Sequence, residues 1–299
     1  MISVSLTKYQ ILLKTVELGG ITRAAEAMGY TQSAASRMIA ALEQEWDIEL
    51  LIRSRGGVHL SAAGEALLPS LRAVCNAQKE LEEQVAHLHG LTQGTLRVGS
   101  FASVSIHWLP PIMKDFLAQY PGIRFELLSK WEFAEVEDLL RKGQADCGFL
   151  GLPAGEGLDV YPLCRDQFMA VLPPDHPLAH APCYPMARLA EDPFIWIPEE
   201  RDVEIGQIFQ EEGVHPNLRY TVNDDFAILA MVEQGLGISI RPELVLEGSG
   251  HTFAAIPLER PRFRDIALAV RSGKALSPLT ARFLEDVRRW CASQGLKPA

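Results

Sequence analysis

Residues 31–37 read Thr-Gln-Ser-Ala-Ala-Ser-Arg, with hydrogen-bonding side chains at 31, 32, 33, 36 and 37. On a helix these positions crowd one end and one face, because residues three and four apart are neighbours. The chemistry that face can do is recognition. The Gln32 amide can pair bidentately with adenine, and the Arg37 fork suits guanine or a phosphate. Ser33 and Ser36 can reach bases or phosphates. Thr31 and Thr22 offer short hydroxyls at helix starts, where unpaired N–H groups favour phosphate oxygens. Arg53 and Arg55 precede Gly56 and Gly57, which suits close approach to a phosphate or the minor groove. An internal ion pair is the other reading of Arg53.

A second group of residues sits at predicted strand ends, where open α/β sheets bind ligands. "GSFASVS", 99–105, turns a strand into a helix. It offers the hydroxyls of Ser100 and Ser103, with Phe101 and Ala102 between them, and helix-start N–H groups suited to an anion. Lys130 and Trp131 follow the next strand; Trp131 can stack on a ring or cover a hinge. Ile197, Arg201 and Asp202 in "IPEERD", and Asn223 and Asp224 in "VNDD", end strands further on. Arg201 can pair a carboxylate or stay solvated. Phe149 and Phe168 fit either a cavity wall or a core.

Catalysis finds no support. There is no GxSxG, HExxH, P-loop or strand-borne GxGxxG. The eight histidines form no ligand cluster beyond His87 and His89, which point apart on a helix. The five cysteines are scattered without a CxxC pair, so reduced, buried thiols are expected and no metal site is. A redox-sensing Cys164–Cys183 pair is the alternative. Net charge is −10, against non-specific coating of nucleic acid. The six Lys and Arg of residues 1–64 are balanced by six Asp and Glu, so the excess acid lies in the remainder. No run is long and apolar enough to span a membrane, no signal peptide is evident, and the cytoplasm is expected.

The elements that must position these residues follow from periodicity. Helices are predicted over 6–18, 23–28 and 32–45, the second capped by Thr22 and the third by Thr31, with Gly29 in the turn between them. Ala24, Ala25 and Ala35 let the second and third helices approach closely, as a helix-turn-helix requires. Residues 49–53 and 58–60 read as a β-ribbon, the wing. Ser61 then caps a long helix whose Leu67, Leu71, Val74, Gln78, Leu81, Val85 and Leu88 repeat at heptad spacing. One helix cannot bury that seam, so a dimer through residues 62–88 is expected. From Thr95 strands and helices alternate, predicting two α/β lobes. The domains are drawn at 1–61, 62–90 and 91–299, with one lobe at about 91–163 and 269–299 and the other at about 164–268.

The stretch "AAEAMGYTQSAASRMIAALEQEWDIELLIRSRGGVHLSAAGEALL" resembles the LysR-type transcriptional regulators in its paired alanines, Thr31-Gln32, Ser36-Arg37, Leu42-Glu43, Leu50, Arg53, Leu60, Ser61, Ala63 and Gly64. "LPPIMKDFLAQYPGI", "LLRKGQADCGF" and "MVEQGLGISIRPE" resemble landmarks of that family's effector domain, so the likeness covers nearly the whole chain. Leu51 and Asp47 replace the usual Phe and Gly near the wing, and Arg241 stands where an apolar residue is usual. The resemblance implies an N-terminal all-α winged helix-turn-helix with a long linker helix, followed by an α/β effector domain of two Rossmann-like lobes, similar to a type 2 periplasmic binding protein. It implies a sequence-specific DNA-binding regulator, not an enzyme. Its expected partners are an interrupted palindrome in double-stranded DNA, a second copy of itself, a tetramer built from two dimers, and RNA polymerase if it activates. A small carboxylate or other anion is the expected effector, and no cofactor is. A solute-binding protein or enzyme with an added DNA head is the remaining alternative.

Overall fold

The structure is a computed structural model. It describes residues 5–54, 57–88, 93–198, 202–273 and 276–296; the side chains at 53, 54, 57, 80, 83, 84 and 86–88 fall outside that description. The chain divides into two compact units, Met1–Gly90 and Leu91–Ala299.

The first unit contains α1 (Leu6–Leu18), α2 (Ile21–Ala27), α3 (Gln32–Trp46), the strands β1 (Leu51–Ser54) and β2 (Gly57–Leu60), and α4 (Ala62–Leu88). Gly19 ends α1 in the left-handed conformation, and Gly29 makes the turn before α3 with φ 73°. Asp47 ends α3 at φ 54°, a conformation aspartate tolerates better than most residues. Thr31 caps α3 as predicted, its hydroxyl accepting the Ala34 N–H. Thr22 does not cap α2: the cap position is Gly20, the helix begins at Ile21, and Thr22 lies exposed in the first turn. Ala24, Ala25 and Ala35 are fully buried with Ile11, Leu12, Ile39 and Leu42. Glu43 reaches out of α3 to accept the N–H groups of Leu50 and Leu51 at 2.8 and 3.0 Å, which ties the wing to the helix. Ser61 caps α4 by accepting the Gly64 N–H, and a Cβ on Gly64 would strike the Leu50 carbonyl.

The heptad seam divides. Leu71 is buried in this unit's core, so it is not available to a partner, and Leu67 is half-buried and packs against that core. Val74, Leu81 and Val85 are 40–55% exposed. Gln78 donates to Glu82 one turn on. The Leu88 side chain lies outside the described residues.

The second unit starts with β3 (Gly94–Phe101), α5 (Ala102–His107), α6 (Leu109–Gln119), β4 (Ile123–Lys130), α7 (Phe133–Arg141) and β5 (Cys147–Gly151). Strand β3 pairs in parallel with β4 and β5. The helical stretch after β3 is broken at Trp108 into α5 and α6, because Pro110 and Pro111 suit only a first turn. Next come the 15-residue β6 (Leu158–Leu172), a 3-10 turn at Met186–Ala190, β7 (Pro193–Trp196), α8 (Val203–Glu212), β8 (Asn217–Thr221), α9 (Asp225–Glu233), β9 (Ser239–Pro242), α10 (Glu243–Leu246), β10 (Ala254–Pro257), β11 (Phe263–Arg271) and α11 (Pro278–Ser293).

Strand β6 joins the lobes. Its first part pairs with β11 and its last part with β9 and β10. Leu163 and Cys164 lie in the first lobe's core, Phe168 and Leu172 in the second's. The lobe boundaries drawn at 163/164 and 268/269 therefore fall inside β6 and β11. Strand β11 runs antiparallel to β5 and β6, so the sheet is mixed.

Candidate nucleic-acid interface and effector cavity

Within the first unit, residues 1–64 are electrically neutral, so the placement of their cations decides what that part can touch. Lys8 pairs with Glu45 at 3.2 Å and Lys14 with Glu17 at 3.1 Å. Among the described residues no carboxylate pairs with Arg23 or Arg37. Both are exposed, as are Gln32 and Ser33. Arg37 thus stands unneutralised on the helix that carries Gln32 and Ser33, while the Arg23 guanidinium lies by the Gly19–Gly20 turn. Arg37 is steadied by donating from Nε to the Ser33 carbonyl at 3.3 Å, and Ser33 lies 3.1 Å from the Thr31 hydroxyl. The Gln32 side chain makes no hydrogen bond among the described residues, and Ser36 is half-buried. The Arg53 side chain and all of Arg55 lie outside the described residues. Arg23 was missed at the sequence level; its signal is a cation in the first turn of the helix preceding the reading helix.

In the second unit a cavity of about 310 Å³ opens where the lobes meet. Seven of the twelve predicted effector residues line it: Phe101, Ala102, Ser103, Lys130, Trp131, Ile197 and Asp202. Arg201 lies outside the described residues. The other four need correction. Phe149 is fully buried in the first lobe's core, packed edge-on against Trp108. Ser100 is fully buried, its hydroxyl turned to the Phe101 carbonyl. Asp224 is spent capping α9, accepting the N–H groups of Phe226 and Ala227. Asn223 is exposed off the cavity, and the residue that lines it from this turn is Asp225. The anion site expected at the start of α5 also weakens. That helix has only six residues, too few aligned dipoles for a strong charge effect, and the Ser103 hydroxyl already accepts from Arg264.

The residues that dominate the cavity's electrostatics were not predicted. Arg264, on β11, is 7% exposed, pairs with Asp166 at 2.7 Å and lies 5.2 Å over the Phe101 ring. Arg241, on β9, is 2% exposed. It pairs with Asp202 at 2.8 Å, and Asp225 Oδ1 sits 3.6 Å from its Nε, beyond hydrogen-bond reach. Its Nε and Nη2 are buried without a hydrogen-bond acceptor. Glu204 lines the cavity, and among the described residues nothing hydrogen-bonds to its carboxylate. Burial pushes the carboxyls of Asp202 and Glu204 above the ordinary range, with the nearby guanidiniums of Arg241 and Arg264 opposing. The signal for Arg241 was its charge at a position where the LysR-type pattern is apolar. Phe168, weighed between cavity and core, belongs to both.

The Cys164 and Cys291 thiols are not activated. Burial, then neighbouring Cys291 and Asp166, push the Cys164 thiol up to about 12, and burial pushes Cys291 up to about 11. Neither supplies much thiolate at neutral pH. Cys183 is half-buried, and both Cys164 and Cys183 are free thiols. Among the described residues no group of His, Cys, Asp and Glu could hold a metal ion, and no helix is long and apolar enough to cross a membrane.

Comparison with known proteins matches both units to one family. Residues 6–65 match the bacterial regulatory helix-turn-helix protein of the lysR family, and residues 89–292 match the LysR substrate binding domain. The probable HTH-type transcriptional regulator LrrA of Synechococcus elongatus is 32% identical over 287 residues, covering 95% of this chain and 97% of that protein. A full-length OxyR variant from Pseudomonas aeruginosa superposes with a TM-score of 0.77 at 21% identity, over 97% of this chain and 95% of that one. Full-length CbnR complexed with its target DNA gives 0.67 at 24% identity, over 96% and 99%.

Proposed function

The chain belongs to the LysR family of DNA-binding transcriptional regulators, which are not enzymes, and from that premise we propose that it reads DNA through α3 under the control of a small molecule bound between its lobes. The observation that carries the reading is the cavity itself. It is lined from both lobes, it is of metabolite size, and its wall holds a buried arginine with unused donors. A carboxylate is the group that would satisfy those donors, which supports an effector carrying one.

On the DNA side, Gln32 reads bases, Ser33, Ser36 and Arg37 add base or phosphate contacts, and Arg23 with the wing residues Arg53 and Arg55 holds the backbone. Few cations per head make a single head weak, so two heads joined by a dimer must bind together. The exposed Val74, Leu81 and Val85 supply the dimer seam. Two-fold symmetry then requires an inverted repeat with a gap. Assembly of two dimers into a tetramer, contact with RNA polymerase when activating, and action in the cytoplasm complete the proposal. A bound effector shifts the population of lobe arrangements and through it the preferred spacing of the DNA heads. The Cys164–Cys183 redox alternative finds no support, because burial keeps the Cys164 thiol protonated.

Footprinting of the full chain on its own promoter DNA tests the coupling, with compounds first shown to bind. The expected result is a footprint whose length or bend changes with at least one bound compound. A footprint unmoved by every bound compound would refute effector control.

A further inference from the structure

The charges around the cavity do not suit a plain anion. Arg264 is already matched by Asp166, and Lys130 lies 3.5 Å from Glu135. That leaves Arg241 as the cation of the second lobe's wall, paired with Asp202 and 3.6 Å from Asp225, while the Glu204 carboxylate lines the same cavity, with Arg264 as its nearby guanidinium. A ligand bringing only negative charge would enter a wall with an excess of acid. A ligand bringing only positive charge would leave the buried Nε and Nη2 of Arg241 without acceptors, and such groups cost free energy in low dielectric. Two unused capacities therefore line one small cavity. One is a donor, the Arg241 guanidinium, and the other is an acceptor, the Glu204 carboxylate.

Resting on the reading of this cavity as the effector site, we propose that the effector is a zwitterion of the amino-acid class, its carboxylate held by Arg241 and its ammonium group by Glu204. The remaining wall is aromatic, with Phe101, Trp131, Phe133 and Phe168. It gives the ligand's body an apolar seat, and the ring faces attract the ammonium further. A volume of about 310 Å³ admits a free amino acid. Glu204 is then the residue that sets specificity for the amine, and Arg241 the one that sets it for the acid.

The test is a binding series on the full chain, followed by thermal shift and by Trp131-dependent fluorescence. The proteinogenic amino acids are screened first. Each one that binds is compared with the same molecule lacking its amino group and the same molecule lacking its carboxylate; for phenylalanine these are 3-phenylpropionate and 2-phenylethylamine. The parent should bind tighter than either fragment by about ten-fold or more, the scale of a lost charged hydrogen bond. Glu204→Gln should erase the preference for the parent over its des-amino form, weakening the parent and, with one wall carboxylate fewer, tightening rather than weakening the des-amino form. Simple carboxylates binding as tightly as their amino-bearing parents would overturn the inference and leave the cavity reading standing. Amino acids that bind equally well to Glu204→Gln and Arg241→Met would place the site elsewhere and overturn the cavity reading. Binding by none of the three classes would overturn both. The fragment comparison uses the natural chain, so it holds even if a variant fails to fold.

Discussion

At the scale of single residues, two side chains separate function from stability. Gln32 sits exposed at the start of α3 with no side-chain hydrogen bond among the described residues, so nothing in the fold requires an amide there. Glu204 is the reverse case, a carboxylate that burial penalises. Its raised pKa fixes the sign of a pH effect. Between the ordinary value of 4.5 and the raised one, the folded chain holds a proton that the unfolded chain has lost. Stability therefore falls as pH climbs through that window, and the penalty is complete above it. Glu204→Gln removes the group. In the absence of ligand the variant should melt higher at neutral pH. That advantage should shrink as pH falls toward the ordinary carboxylate range. Thermal melts across pH check it; a variant that gains nothing at neutral pH would mean the carboxylate is satisfied.

At the scale of elements, the wing depends on one carboxylate. Glu43 accepts the backbone N–H groups of Leu50 and Leu51, so Glu43→Ala leaves two part-buried donors without an acceptor. The expected loss is about 1.5–3 kcal/mol, read by thermal melting, with weaker binding to every DNA sequence. Unchanged melting would show the wing held by packing alone. The helices of this unit were legible because alanine spacing, caps and glycine turns are local signals, and Thr31, Gly29 and Asp47 took the conformations their chemistry suggests. Thr22 failed as a cap because Gly20 already supplied an extended cap position, and a glycine cap leaves no side-chain signature. The heptad seam was legible as a pattern but not in its use. Periodicity cannot distinguish Leu71, which the domain's own core consumes, from Leu81, which it leaves exposed. The effector residues were the least legible. The strand ends gave Phe101, Ser103, Lys130, Trp131 and Asp202 correctly as wall positions, since topology sets where strands end. Arg241 and Arg264 lie inside strands, and only the pairing of β6 with β9 and β11 brings them to the same wall as α8.

At the scale of the whole molecule, the account joins a neutral head to an acidic ligand-binding body. In the proposed dimer the head compensates for weak electrostatics by duplication, and the long β6 lets one strand serve both lobe cores. The central claim is that a symmetric pair of these heads reads DNA through α3. Sequencing the DNA that the full chain retains from a randomised pool tests it most directly, with Gln32→Ala run in parallel. The account predicts an inverted repeat with half-sites separated by whole helical turns. It predicts the same repeat for Gln32→Ala, with preference relaxed at one position of each half-site by about 1–3 kcal/mol. No enrichment, an enriched site without two-fold symmetry, or an unaltered preference in the variant would contradict it.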